Sequence, residues 1–287
     1  MIDSVINKKV PHPYSELADY EKKYSLKELH DDMLVLLVAF DQFCRAHEIS
    51  YSLADGTLLG AIRHGNFIPW DDDADVMVTR IEYQKLRKAI NGDSSIKLLK
   101  AHFLDRVTTP VLLKKKVYLD LFINEDMPAS KVIFEWKKFK TRFLRCAFHN
   151  ISVRNVRHDQ HAASYSYIRG MAARVLRSIA KCVICGRDVF ELNDRTVAIK
   201  GHRPLGIYTR YTSRMYETNR RFNKASYDEG YVDVAFRGQR LMVIKNAGIF
   251  LQEMYGDYMK LLPEEKRKPE HPVNMLDSPE SCLKRYN

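Results

Sequence analysis

Five cysteines in 287 residues, at positions 44, 146, 182, 185 and 282, are too few and too scattered to form a disulfide framework, so a small secreted scaffold is excluded and a reducing compartment fits best. Cys182-Val183-Ile184-Cys185 has the spacing of half a zinc site, but no second pair follows, and His149, His158 and His161 fall at no clear ligand spacing. The thiols read as buried and structural. No apolar run approaches the roughly 18 residues of a spanning helix, and residues 1–24 hold Lys8, Lys9 and several acids without a signal-type core. These absences predict a cytoplasmic protein whose membrane association, if any, is peripheral at the inner face. Internal repeats, low-complexity tracts and recognised nucleic-acid-binding motifs are also missing.

Acidic residues are scarce in one place. Residues 131–190 hold 13 Lys and Arg against 3 Asp and Glu, which accounts for most of the net charge of +11. Such charge implies an anionic partner, whether nucleic acid, acidic lipid headgroups or a phosphorylated substrate, and does not choose among them. Within the segment Phe134, Trp136, Phe139, Phe143, Leu144 and Phe148 interleave with Lys137, Lys138, Lys140, Arg142 and Arg145, the pattern of a basic amphipathic helix. A second such stretch runs from about Tyr165 to Cys185. The expectation is helices that pack on the rest of the protein and touch anionic lipid, with nucleic acid an unfavoured partner.

What is abundant is a core. Hydrophobic residues make up 45% of the chain and aromatics 11%, enough for one large domain or two small ones. Ser25-Leu26-Lys27-Glu28 offers a capping box, and Leu26, Met33, Leu34, Leu37, Phe40 and Phe43 recur at helical spacing, predicting a helix over 26–47. Alternation over 49–54 predicts a strand, Thr57 to His64 a short helix, 73–79 a strand, and 81–90 a helix closed by Asn91-Gly92. Val117 to Ile123 reads as a buried strand carrying one acid, Asp120, and ended by Asn124, Asp126 and Pro128. Strand-like patterning returns from Tyr231 to Val243, followed by a helix over about 248–255. The predicted class is α+β, a mixed sheet flanked by helices. Its divisions are a polar leader (1–25), a catalytic core (26–128), a basic, largely helical insertion (129–230) and a C-terminal strand-helix segment (231–287) that completes the catalytic domain.

The chemistry concentrates in Trp70-Asp71-Asp72-Asp73-Ala74-Asp75, downstream of Asp55-Gly56-Thr57. Crowded carboxylates repel, which raises some pKa values unless a cation compensates. On a strand of period two, Asp73 and Asp75 share a face and can share a metal. Gly56 permits close approach to the backbone, and Thr57 opens a helix whose free N–H groups suit a phosphate. Mg²⁺, with Mn²⁺ as the alternative, would bridge those carboxylates and phosphate oxygens, with Asp120 the third acid. Asp71 and Asp72 either ligate or support. Arg63 ends the short helix and can neutralise phosphate charge, while Lys114, Lys115 and Lys116 offer diphosphate contacts or a solvated edge.

Gly56-Thr57, an intervening helix, Asp73-Ala74-Asp75 and a later strand with Asp120 resemble the nucleotidyltransferase superfamily. The continuous stretch from Asp55 through Gly65-Asn66-Phe67-Ile68-Pro69-Trp70 to Asp75 is similar to the LicD branch, bacterial phosphocholine transferases related to fukutin-type ribitol-phosphate transferases. Tyr118 to Phe122 matches that family's later aspartate strand, and Tyr255-Gly256-Asp257-Tyr258-Met259 its C-terminal signature. The resemblance runs from about 26 to 271 and is weakest through the basic middle.

The resemblance implies a nucleotidyltransferase-like fold and a CDP-activated alcohol, normally CDP-choline. From it phosphocholine moves to a hydroxyl of a cell-surface or lipid-linked glycan, in lipopolysaccharide or capsule synthesis, and CMP leaves. Asp73 and Asp75 would hold Mg²⁺, Asp120 would complete the site or act as general base, and Gly56 and Thr57 would seat the diphosphate. The alternatives are a nucleotidyltransferase releasing pyrophosphate and a non-catalytic protein binding lipid or RNA.

Overall fold

The computed structural model describes residues 25–100, 105–115, 117–152, 189–198, 203–210 and 221–269. The leader before Ser25, Lys116, the stretch Tyr165–Cys185 with its two cysteines, His158, His161 and Cys282 lie outside the described residues, as do the side chains of Cys146 and His149.

The first helix, α1 (Leu26–Ala46), starts at the capping box: the Ser25 hydroxyl accepts from the Glu28 N–H, and the Glu28 carboxylate accepts from the Ser25 N–H. Its buried stripe of Leu29, Met33, Leu36, Leu37, Phe40, Phe43 and Cys44 forms much of the core. Strand β1 is only Ser52–Leu53, and α2 (Asp55–His64) follows after a single residue. The helix begins two residues earlier than expected because the Ala54 carbonyl already accepts from the Leu58 N–H at 2.9 Å, with Asp55 at a left-handed φ of 43° in the first turn. Next come β2 (Asp75–Thr79) and α3 (Arg80–Gly92), the latter capped by the Thr79 hydroxyl.

Strands β3 (Lys97–Lys100) and β4 (Asp105–Thr108) follow, then the short α4 (Pro110–Lys114), with Pro at its first turn. Strand β5 (Leu119–Pro128) runs on through the residues expected to end it. The reason is charge pairing: Asn124 accepts from Arg210, Glu125 binds Arg80, and Asp126 binds Lys224. Helices α5 (Lys131–Ser152) and α6 (Val189–Val197) lead to β6 (Pro204–Thr209), β7 (Phe222–Asn223) and α7 (Ala225–Asp228). A hairpin of β8 (Tyr231–Phe236) and β9 (Gln239–Ile244) turns at Arg237-Gly238, both at positive φ, as a two-residue hairpin loop requires. Helix α8 (Ala247–Tyr255) comes after it.

The main sheet has seven described strands in the order β1-β2-β5-β4-β3, with β6 pairing to β5 and β7 to β6. It is mixed: β2 and β5 are parallel, while the other pairs are antiparallel. This is the α+β architecture expected, a mixed sheet flanked by helices. The separate β8–β9 hairpin supports β1 from its far side. The Ile244 N–H donates to Ser52 Oγ at 3.0 Å, and Phe236 meets Phe67 edge-on at 4.8 Å.

Helices α5 and α6 are fastened to the sheet by ions. Arg80 bonds Glu125 at the far half of β5 and Asp194 of α6, Arg87 also reaches Asp194, and buried Lys137 of α5 donates to the Val197 and Ala198 carbonyls. Burial pushes the Lys137 ammonium down and the Glu125 carboxyl up, opposed in each case by the facing opposite charge. Among the described residues no helix is long and apolar enough to cross a membrane.

Candidate active site

Sheet register assembles the acids. Asp75 of β2 stands opposite Asp120 of β5, and Asp120 opposite Arg106 of β4, so the three occupy one row across three adjacent strands, on one face. Asp73 lies two residues before β2 and not inside it, yet a carboxylate oxygen from each of Asp73, Asp75 and Asp120 falls within 4.8 Å of the others. Asp71, Asp72 and Asp73 form a second such group, so Asp73 belongs to both. Asp72, Asp75 and Asp120 are buried. Burial raises the Asp75 pKa well above the ordinary carboxylate value, and the charges of Asp73, Asp55, Asp120 and Asp71 add to it in that order.

The Gly-Thr turn is built into this face. The Asp75 N–H donates to the wholly buried Thr57 hydroxyl at 2.8 Å, and the Ala54 N–H to the Asp75 carbonyl at 2.9 Å. The start of α2 is thus tied directly to the metal-ligand candidate. Asp71 approaches Gly56 closely: a Cβ there would lie 2.6 Å from Asp71 Oδ2 and would have to push that carboxylate aside. The close approach expected for a phosphate is, in this structure, an approach to a carboxylate. His30 of α1 holds the other side of the acid run, with Nε2 2.7 Å from the Asp71 carbonyl and its ring stacked on Phe67 at 4.8 Å. Burial lowers the His30 pKa.

Two arginines were not picked out by sequence reasoning. Arg106 Nε donates to Asp120 Oδ1 at 2.7 Å, and its guanidinium covers the Tyr118 ring. Asp120 therefore carries both a buried ion pair and a place in the acid group. Arg210, fully buried, forks onto Asp55 at 3.0 and 2.8 Å, bonds Asn124, and lies between the rings of Phe122 and Phe222. Neither has a local signal: the register that sets Arg106 opposite Asp120 appears only in the sheet, and Arg210 lies far along the chain from Asp55.

Arg63 is directed elsewhere. It donates to the carbonyls of Tyr258 and Lys260, at 3.0 and 3.5 Å, and to His64 Nε2. It thereby holds the Tyr255–Met259 signature, in which Gly256, at φ 67°, ends α8. Lys115 is bonded to Asp32 at 2.7 Å.

Chemically the site offers hard oxygen donors on two groups that share one residue, next to a helix N-terminus. An all-carboxylate set of this kind suits a hard divalent cation and is wrong for a soft metal.

Residues 48–153 match the family described as LicD/FKTN/FKRP, nucleotidyltransferase domain. The stretch contains every acid of the site. The chain is also 30% identical over 271 residues to the lipopolysaccharide cholinephosphotransferase LicD of Haemophilus influenzae, covering 87% of this chain and 97% of that one. A match spanning both proteins nearly end to end, with the acid groups assembled by the sheet, means that the chain belongs to the LicD family of transferases.

Proposed function

We propose that this enzyme transfers phosphocholine, or a similar phospho-alcohol, from a CDP-activated donor to a hydroxyl of a glycan, lipopolysaccharide or a lipid-linked precursor being the candidate acceptors. The observation that carries the reading is the group of Asp73, Asp75 and Asp120, assembled from two chain segments in a family whose relative is a cholinephosphotransferase. Asp73 and Asp75 would hold Mg²⁺, or Mn²⁺ in its place, with Asp120 either completing the set or serving as general base, and the raised Asp75 pKa reflects a cluster that a divalent cation relieves. Bound there, the ion would neutralise charge on the donor phosphates.

The remaining tasks fall to the chain. The N-terminal turn of α2, with Gly56 and Thr57, seats the diphosphate on its free N–H groups. Asp71 and Asp72 support the ligand set, with the Asp71 backbone carbonyl bonded to His30. The acceptor oxygen forms a bond to the distal phosphorus as the bond from that phosphorus to the CMP oxygen breaks. The hydroxyl proton passes to a carboxylate of the group, and CMP departs with the electron pair. Arg106 keeps Asp120 in place for this role. Arg63 acts on the site's charge or through the Tyr258 loop it holds.

The test is turnover of CDP-choline with Mg²⁺ by the wild type and by Asp73→Asn and Asp75→Asn. Loss of CMP release in both variants, with unchanged circular dichroism, supports the assignment. Wild-type rates in either variant end it.

A further inference from the structure

Helix α5 has two apolar faces, and among the described residues only one is buried. Phe134, Lys137, Thr141 and Leu144 are buried on the side that meets β5 and α6. The opposite side carries Val132, Trp136 and Phe139, which are 78%, 53% and 70% exposed. Their spacing of four and three residues puts them in one stripe along successive turns. A helix that packs through one face has no folding reason to line the other with a tryptophan and a phenylalanine; such a patch signals an external partner.

Charge decides which. Lys131 lies at the exposed start of the helix, and the Lys140 ammonium sits 4.9 Å from the centre of the Trp136 ring. Glu135, the acid beside the stripe, is paired with Lys138 at 3.3 Å, so it does not offset those cations. Exposed apolar and aromatic side chains with one ammonium over a ring and a second lysine at the exposed helix start match the headgroup boundary of an anionic bilayer. The geometry points to Val132, Trp136 and Phe139 as a membrane-docking stripe that enters an anionic lipid surface, with Lys131 and Lys140 at its rim. The enzyme would lie on the membrane, with α5 in the plane of the interface.

The inference stands on this surface alone, so vesicle binding by the full-length protein tests it without donor or turnover. Vesicles of phosphatidylcholine with phosphatidylglycerol are expected to sediment the wild type, and vesicles of phosphatidylcholine alone to leave it in solution. Trp136→Ala with Phe139→Ala should weaken binding about tenfold or more, from the apolar surface lost. Lys131→Ala and Lys140→Ala should weaken it about fivefold each, and less at high salt.

The chain has only two tryptophans, so Trp70→Phe leaves Trp136 as sole reporter. Its emission should shift to the blue on anionic vesicles and be quenched by brominated lipid. Unchanged vesicle binding by the double variant, or a bound protein whose Trp136 emission does not move, overturns the proposal. So does a wild-type dimer that the double variant converts to monomer, which would assign the stripe to a second copy. RNA binding lost in the double variant, with vesicles ignored by the wild type, would overturn it equally.

Discussion

Removing Arg210 should cost more stability than removing any exposed cation, because its charge has no route to water. The side chain is fully buried, Nη1 donates to both oxygens of Asp55, and the guanidinium carbon lies 4.2 Å from the centre of the Phe122 ring. Arg210→Met fills similar volume but strands the Asp55 carboxylate, whose side chain is only 12% exposed. Breaking one side of a buried pair costs about 3–5 kcal/mol, against a total stability of about 5–15 kcal/mol for a domain. The exposed pair Arg237–Asp31 provides the control, since Arg237→Met should change stability by only about 0–1 kcal/mol. Urea unfolding of both variants measures the difference. Adding Asp55→Asn to Arg210→Met should restore part of the loss, because the stranded charge is then gone. Turnover should fall as well, since Asp55 opens the turn that carries Thr57. An Arg210→Met protein within about 1 kcal/mol of wild type would refute the reasoning.

Three further outcomes follow from the site. Thr57→Val leaves the Asp75 N–H without its acceptor and should cost about 1–3 kcal/mol in urea unfolding, with turnover reduced; Thr57→Ser should restore both. Gly56→Ala drives a Cβ against Asp71 and should lower stability by about 1–3 kcal/mol, most of which Asp71→Ala regains when added to it, as a double-mutant cycle would record. Mg²⁺ at about 100 times its dissociation constant should stabilise the protein by about 2.7 kcal/mol. Asp75→Asn should abolish most of that gain in a thermal melt.

The sequence made visible what is local. Ser25 and Glu28 sit three residues apart and form the capping box they spelled out. Asp120 stood out because a lone acid in an apolar strand needs a reason. Its partner was invisible: Arg106 lies in Asp105-Arg106-Val107-Thr108, too charged to read as a buried strand. Burial is possible there because Asp105 accepts from Tyr83 and Arg106 pairs with Asp120. The same logic hid the second half of β5, whose Asn124, Glu125 and Asp126 look like a strand end until Arg210, Arg80 and Lys224 meet them. Asp55 and Arg210 are 155 residues apart. No periodicity links residues so distant, and a cation in a polar stretch reads by default as surface. The motif therefore named the acids, while the cations that hold them came only from the fold.

The measurement that bears most directly on the central claim is the identity of the leaving group. The wild type would be incubated with Mg²⁺ and a panel of CDP-alcohols, and the nucleotide product resolved. The account predicts CMP, released fastest from one donor, with no release when Asp75 is changed to Asn. Pyrophosphate from a nucleoside triphosphate, or no metal-dependent turnover of any CDP-alcohol, would contradict it.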